Sequence, residues 1–83
     1  MATDPTLIKH VLAVLDLNAG RPMLEKTIAS DAELAASRPL TLDDVRAALR
    51  WLKDEGFALC RQNSFRQDVW IVSERGRSAL LGM

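Results

Sequence analysis

Residues 41–56 restrict the fold more than any other stretch, because a helix's beginning, buried face and end are all written there. Thr41 followed three residues later by Asp44 resembles a capping box with a shortened acid, so the first free amides have acceptors at hand. Leu42, Val45, Leu49 and Leu52 recur at helical spacing on one face, with Ala48 at its edge. Gly56 can take the left-handed conformation that ends a helix, so the helix is expected to run to Glu55. At about 100° per residue the opposite face carries Asp43, Ala47, Arg50, Trp51 and Asp54.

After that helix the periodicity changes. Residues 57–61 and 68–72 read as strands, and the polar run Gln62-Asn63-Ser64-Phe65-Arg66-Gln67 joins them into a hairpin. Phe57 and Leu59 share one face of the first strand, Val69 and Ile71 one face of the second. Ser73 is placed to cap a short closing helix ending near Leu81, with Ala79, Leu80 and Leu81 packing back.

Two helices are expected upstream. The first begins at Thr3-Asp4-Pro5, an acceptor side chain followed by a proline that needs no partner in the first turn, and runs to about Leu17. Leu7, Ile8, Val11, Leu12 and Leu15 form its apolar stripe, and Gly20 closes it. The second is expected from Pro22 or Met23 through Ala35, with Leu24, Ile28, Ala32 and Ala35 inward; Arg21-Pro22-Met23 could extend as a short strand ahead of it. Leu34 falls off that stripe, which leaves a break near Ser30-Asp31 open. Arg38-Pro39 bars continuation, and Leu40 is suited to staple the next cap.

At 83 residues and 48% hydrophobic content, the chain suits a single domain, residues 1–83, with one small core. The lone Cys60 cannot form an internal bridge, whereas small secreted domains usually carry several, so a reducing, cytoplasmic setting is expected. Met-Ala-Thr-Asp-Pro lacks the basic start and apolar run of a signal peptide, and charges interrupt every apolar stretch, so no membrane association is expected.

The run Val45-Arg46-Ala47-Ala48-Leu49-Arg50-Trp51-Leu52-Lys53-Asp54-Glu55-Gly56-Phe57, the hairpin, and Val72-Ser73-Glu74-Arg75-Gly76-Arg77 together resemble the recognition helix, wing and closing helix of winged helix-turn-helix proteins of the MarR and PadR kind. The C-terminal half carries the resemblance; the N-terminal helices follow it by order and spacing. It implies an α+β, mainly α, fold of three helices, a β-hairpin wing and a short C-terminal helix. It further implies that the third helix enters the major groove of double-stranded DNA while the hairpin touches the minor groove or phosphates. Residue types that reach base edges and phosphates are, on the helix, Thr41, Arg46, Arg50 and Lys53, and on the wing, Arg61, Gln62, Asn63, Ser64, Arg66 and Gln67.

Charge pulls against that reading. Eleven Lys and Arg balance eleven Asp and Glu, although binding to nucleic acid draws on neutralised phosphates. Residues 41–55 hold three cations (Arg46, Arg50, Lys53) and four acids (Asp43, Asp44, Asp54, Glu55), a sum of −1; residues 56–72 hold Arg61 and Arg66 against Asp68, a sum of +1. Asp43 and Asp54 share the outward face and repel phosphate unless one accepts from a cytosine amine. The bland alternative is that these charges form an ordinary solvated face.

Trp51 has two readings: an interface anchor on the outward face, or a ring folded over the base of the wing. Trp70, on a strand, is expected to be structural. His10 and Cys60 are too few for a four-ligand metal site, and Cys60 reads as an inert, apolar thiol. No nucleophile elbow, phosphate loop or catalytic carboxylate pair is present, so no catalytic residue, cofactor, small-molecule substrate or enzymatic activity is expected.

Two functions follow. One is a small intracellular DNA-binding transcriptional regulator that uses helix 41–55 and wing 57–72, dimeric on DNA. The alternative is a non-catalytic protein-interaction module of the same fold, docking a protein partner or a second copy through Ala47, Trp51 and Asp54.

Overall fold

A computed structural model describes residues 4–82 and contains, in order, α1 (Pro5–Leu17), β1 (Met23–Leu24), α2 (Glu25–Ala36), α3 (Leu42–Asp54), β2 (Ala58–Gln62), β3 (Asp68–Val72) and α4 (Glu74–Leu81). Helix α1 begins where its cap predicts: the Asp4 side chain accepts from the Thr6 amide at 3.0 Å and Pro5 occupies the first turn. Thr3, the other residue of that capping sequence, lies outside the described residues. The apolar stripe of α1 is buried as expected, and Val14 joins it.

The second helix corrects the sequence reading. It begins at Glu25, because Met23 and Leu24 form a strand that pairs antiparallel with β3, Met23 opposite Trp70 and Leu24 opposite Val69. Strand alternation then sends Met23 into the core and leaves Leu24 exposed, rather than inward as helical spacing suggests. Only Ile28 and Ala32 are buried on α2, Ala35 is exposed, and the helix runs unbroken through Ser30 and Asp31.

Both ends of α3 are locally determined. The Thr41 hydroxyl accepts from the Asp44 amide at 3.1 Å, and the Asp44 carboxylate accepts from the Thr41 amide at 3.2 Å, a complete capping box. Leu40, just ahead of the cap, packs partly buried against the core. At the other end Gly56, with φ +78°, allows its own amide to reach the Lys53 carbonyl and the Phe57 amide to reach that of Leu52, a Schellman closure. Ala48, placed by spacing at the edge of the buried face, lies fully inside it, and Leu42 is only half-buried.

The sheet has the order β1-β3-β2, antiparallel throughout. Its helix-facing side carries Ala58 opposite Val72, Cys60 opposite Trp70 and Gln62 opposite Asp68; the far side carries Leu59 opposite Ile71 and Arg61 opposite Val69. Trp70, 7% exposed, closes the hairpin against the core, as its strand position suggested. Ser73 caps α4 by accepting from the Gly76 amide at 3.0 Å while its hydroxyl donates to the Gly56 carbonyl at 2.7 Å, which ties α4 to the end of α3. Leu80 packs back onto the core, whereas Leu81 at the last turn is 90% exposed and does not. Three helices around an apolar core, with a hairpin wing and a closing helix, make up a winged helix-turn-helix fold.

Candidate nucleic-acid interface

Helix α3 carries its three cations along one stripe. Arg46, Arg50 and Lys53 succeed one another at intervals of four and three, so they lie on one stripe beside the buried face. That stripe borders a groove of about 400 Å³ between α3 and the sheet, lined by Glu25, Arg46, Arg50, Lys53, Cys60, Asp68 and Trp70. Three cations against two acids leave the groove at +1, where the helix as a whole sums to −1. Asp43, Ala47 and Asp54 stand on the exposed crest and line no part of this groove.

The three cations are not equivalent. Arg46 lies with its Nε 3.5 Å from a carboxylate oxygen of Glu25, at the start of α2. Arg50 and Lys53 are exposed and, among the described residues, pair with no acid. Both can offer full charge to an incoming anion. Thr41 is exposed, but its hydroxyl already accepts from Asp44 in the cap.

The wing tip is a three-residue loop in which Asn63 organises its neighbours. The Asn63 side-chain oxygen accepts from the amides of Phe65 and Gln67 at 2.9 and 3.0 Å, and its amide group donates to the Gln67 side chain at 3.1 Å. The Arg66 amide closes the turn on the Asn63 carbonyl, and Arg66 itself sits at φ +61°, the left-handed position usually given to glycine in such loops. Asn63 and Gln67 therefore build the tip with their polar groups, while Ser64, Phe65 and Arg66 project as exposed side chains. Arg61 lies on the far face of the sheet, away from the stripe of α3, and Gln62 on the near face. The arginines singled out in sequence thus divide: Arg46 and Arg50 join Lys53 in the groove, Arg66 crowns the wing, and Arg61 stands apart.

Trp51 packs at the base of the wing, its ring 5.9 Å from that of Phe57 at a 60° tilt, and it retains 36% exposure. The guanidinium of Arg75, from α4, lies 5.6 Å from the Phe57 ring centre, a cation–π contact that extends the stack. Cys60 faces the groove as a free thiol, and burial, then the nearby Asp68 carboxylate, pushes its pKa up. Among the described residues no group of three or more His, Cys, Asp or Glu is arranged to hold a metal ion, and no helix is long and apolar enough to cross a membrane.

Sequence reasoning missed Glu25 as a groove residue and Arg75 as a partner of Phe57. Neither leaves a local signal, since each meets its partner from a different helix.

No protein-family model matches this sequence, and comparison with curated proteins finds no match. Solved structures do resemble it in fold. A transcriptional regulator of the MarR family from Silicibacter pomeroyi superposes on 93% of this chain with a TM-score of 0.76 at 19% identity. The hsRosR-S4 complex superposes on 90% of the chain with a TM-score of 0.77 at 16% identity. This chain spans 47% of the first and 63% of the second. At these identities the likeness fixes the winged helix-turn-helix fold.

Proposed function

We propose that this winged helix-turn-helix chain is a DNA-binding transcriptional regulator that meets duplex DNA with the groove flank of α3 and the tip of the wing. The observation that carries the reading is that Arg46, Arg50 and Lys53 all line the groove between α3 and the sheet, a groove that Asp43 and Asp54 do not line. A formal charge of zero argues against diffuse attraction to phosphate, but affinity depends on where cations stand relative to the backbone. Arg50 and Lys53, free of ion pairs among the described residues, are the phosphate-neutralising groups, and Arg66 at the tip is the wing's contribution. The resemblance to a MarR-family transcriptional regulator adds support at the level of fold.

Fluorescence anisotropy of a labelled duplex over a salt series tests this reading. The association constant should fall linearly on logarithmic axes, and Arg50→Ala and Arg66→Ala should each weaken binding and lower the slope by about 1. No binding at low ionic strength would refute it.

The alternative is docking of a protein through Ala47, Trp51 and Asp54. Its support is that Trp51 remains 36% exposed while packing on Phe57, and that Asp43 and Asp54 lack ion-pair partners among the described residues. Sedimentation of the wild type and of Trp51→Ala distinguishes a second copy: concentration-dependent association lost in the variant supports it, and a monomer in both removes self-docking.

A further inference from the structure

We propose that Arg46 reads a guanine in the major groove and that Glu25 is the positioning residue that holds its guanidinium for that task. This rests on the DNA-binding reading above and assigns the division of labour within it. Arg46 stands where three elements converge: it lines both the groove between α3 and the sheet and a second groove formed by the starts of α2 and α3 and the base of the wing tip. It is the one α3 cation that pairs with an acid among the described residues, and the manner of pairing is informative.

Glu25 approaches the Nε side of the guanidinium at 3.5 Å. Among the described residues neither terminal nitrogen of Arg46 donates a hydrogen bond, which leaves both for another acceptor pair. The Glu25 side chain is 19% exposed and anchored at the first turn of α2, whereas that of Arg46 is 52% exposed. A mostly covered acid therefore stands beside a mostly open fork.

For a phosphate contact such pairing is a handicap, because the carboxylate competes with the phosphate for the same charge. For base recognition it is an advantage. A guanine offers two acceptors, N7 and O6, in a plane that the two terminal nitrogens match, and a carboxylate on the Nε side favours the orientation that presents them. Arg50 and Lys53, lacking such a partner, are left for the backbone, so that α3 separates positioning contacts from the specifying one.

The test is selection from a duplex library randomised at its centre, followed by affinity measurements on the selected and a scrambled duplex. The wild type should enrich a motif with a fixed guanine, and Arg46→Ala should lose roughly 5- to 150-fold of the discrimination at that position, the worth of one bidentate pair. Glu25→Gln, of the same size without charge, should cut discrimination at the same position several-fold. Its affinity for scrambled duplex should be unchanged or higher, because an acid has left the phosphate surface. In an Arg46→Ala background, Glu25→Gln should change discrimination no further, which a merely structural role for Glu25 would not produce. Guanine discrimination untouched by Arg46→Ala, or a Glu25→Gln effect that persists without Arg46, overturns the assignment while leaving DNA binding intact. Retention of no duplex by the wild type overturns both together.

Discussion

Replacing Gly76 by alanine sets helix propensity against packing, with opposite signs. Alanine within a helix is favoured over glycine by about 1 kcal/mol, so propensity alone makes the change stabilising. Packing says otherwise. A Cβ at Gly76 overlaps the Phe57 carbonyl oxygen and lies 2.9 Å from the Phe57 carbonyl carbon and 3.1 Å from a Val72 methyl. The obstruction is backbone, so no side chain can swing aside to relieve it. Helix α4 would have to withdraw, straining the bond from the Ser73 amide to the Phe57 carbonyl at 3.1 Å and that from the Ser73 hydroxyl to the Gly56 carbonyl at 2.7 Å. Losing two such bonds costs about 2 kcal/mol, and overpacking adds about 1–3 kcal/mol. Set against the propensity gain, the net loss is about 2–4 kcal/mol. For a domain of this size that lowers the melting midpoint by roughly 10–25 °C. Thermal and urea unfolding followed by circular dichroism, wild type beside Gly76→Ala, reads this directly. An unchanged or raised midpoint would refute the close approach of α4 to the α3–β2 junction.

Three further outcomes are expected. Thr41→Ala removes the hydroxyl half of the capping box and should cost about 1 kcal/mol in urea unfolding, with no change in the cooperativity of the transition. Arg66→Gly should move stability and binding in opposite directions: relief of a left-handed arginine adds about 1 kcal/mol, while loss of the tip charge weakens duplex binding and lowers the salt slope by about 1. For Cys60, burial and Asp68 favour the neutral thiol, so the thiolate forms at higher pH in the folded protein than in the unfolded chain; alkylation rates should rise later along a pH series in native buffer than in urea, and coincident profiles would contradict the burial.

What could be read in sequence was what local chemistry decides. The cap at Thr41 and the stop at Gly56 involve groups within a few residues, and both formed as read. The cap at Ser73 and the burial of Trp70 belong to the same class. Strand β1 was only half legible, because two residues make a strand only through a partner, and its pairing with β3 spans much of the chain. That pairing also explains why Leu24 pointed the wrong way: an apolar residue ahead of a helix was read with the helix's period when the strand's applied. At the site, the cations and their positions on α3 were visible, but summing charge over the helix concealed that all three cations line one groove that Asp43 and Asp54 do not reach. Glu25 was invisible as a groove residue because its contact with Arg46 joins two helices whose mutual placement no local pattern encodes.

Chemical-shift mapping of the isotope-labelled chain with a selected duplex bears most directly on the proposal that α3's groove flank and the wing tip form one DNA-binding surface. Amide and side-chain shifts should concentrate at Arg46, Arg50 and Lys53 and at residues 64–66, fading as salt is raised. Shifts confined to Ala47, Trp51 and Asp54, or no shifts at low salt, would contradict it.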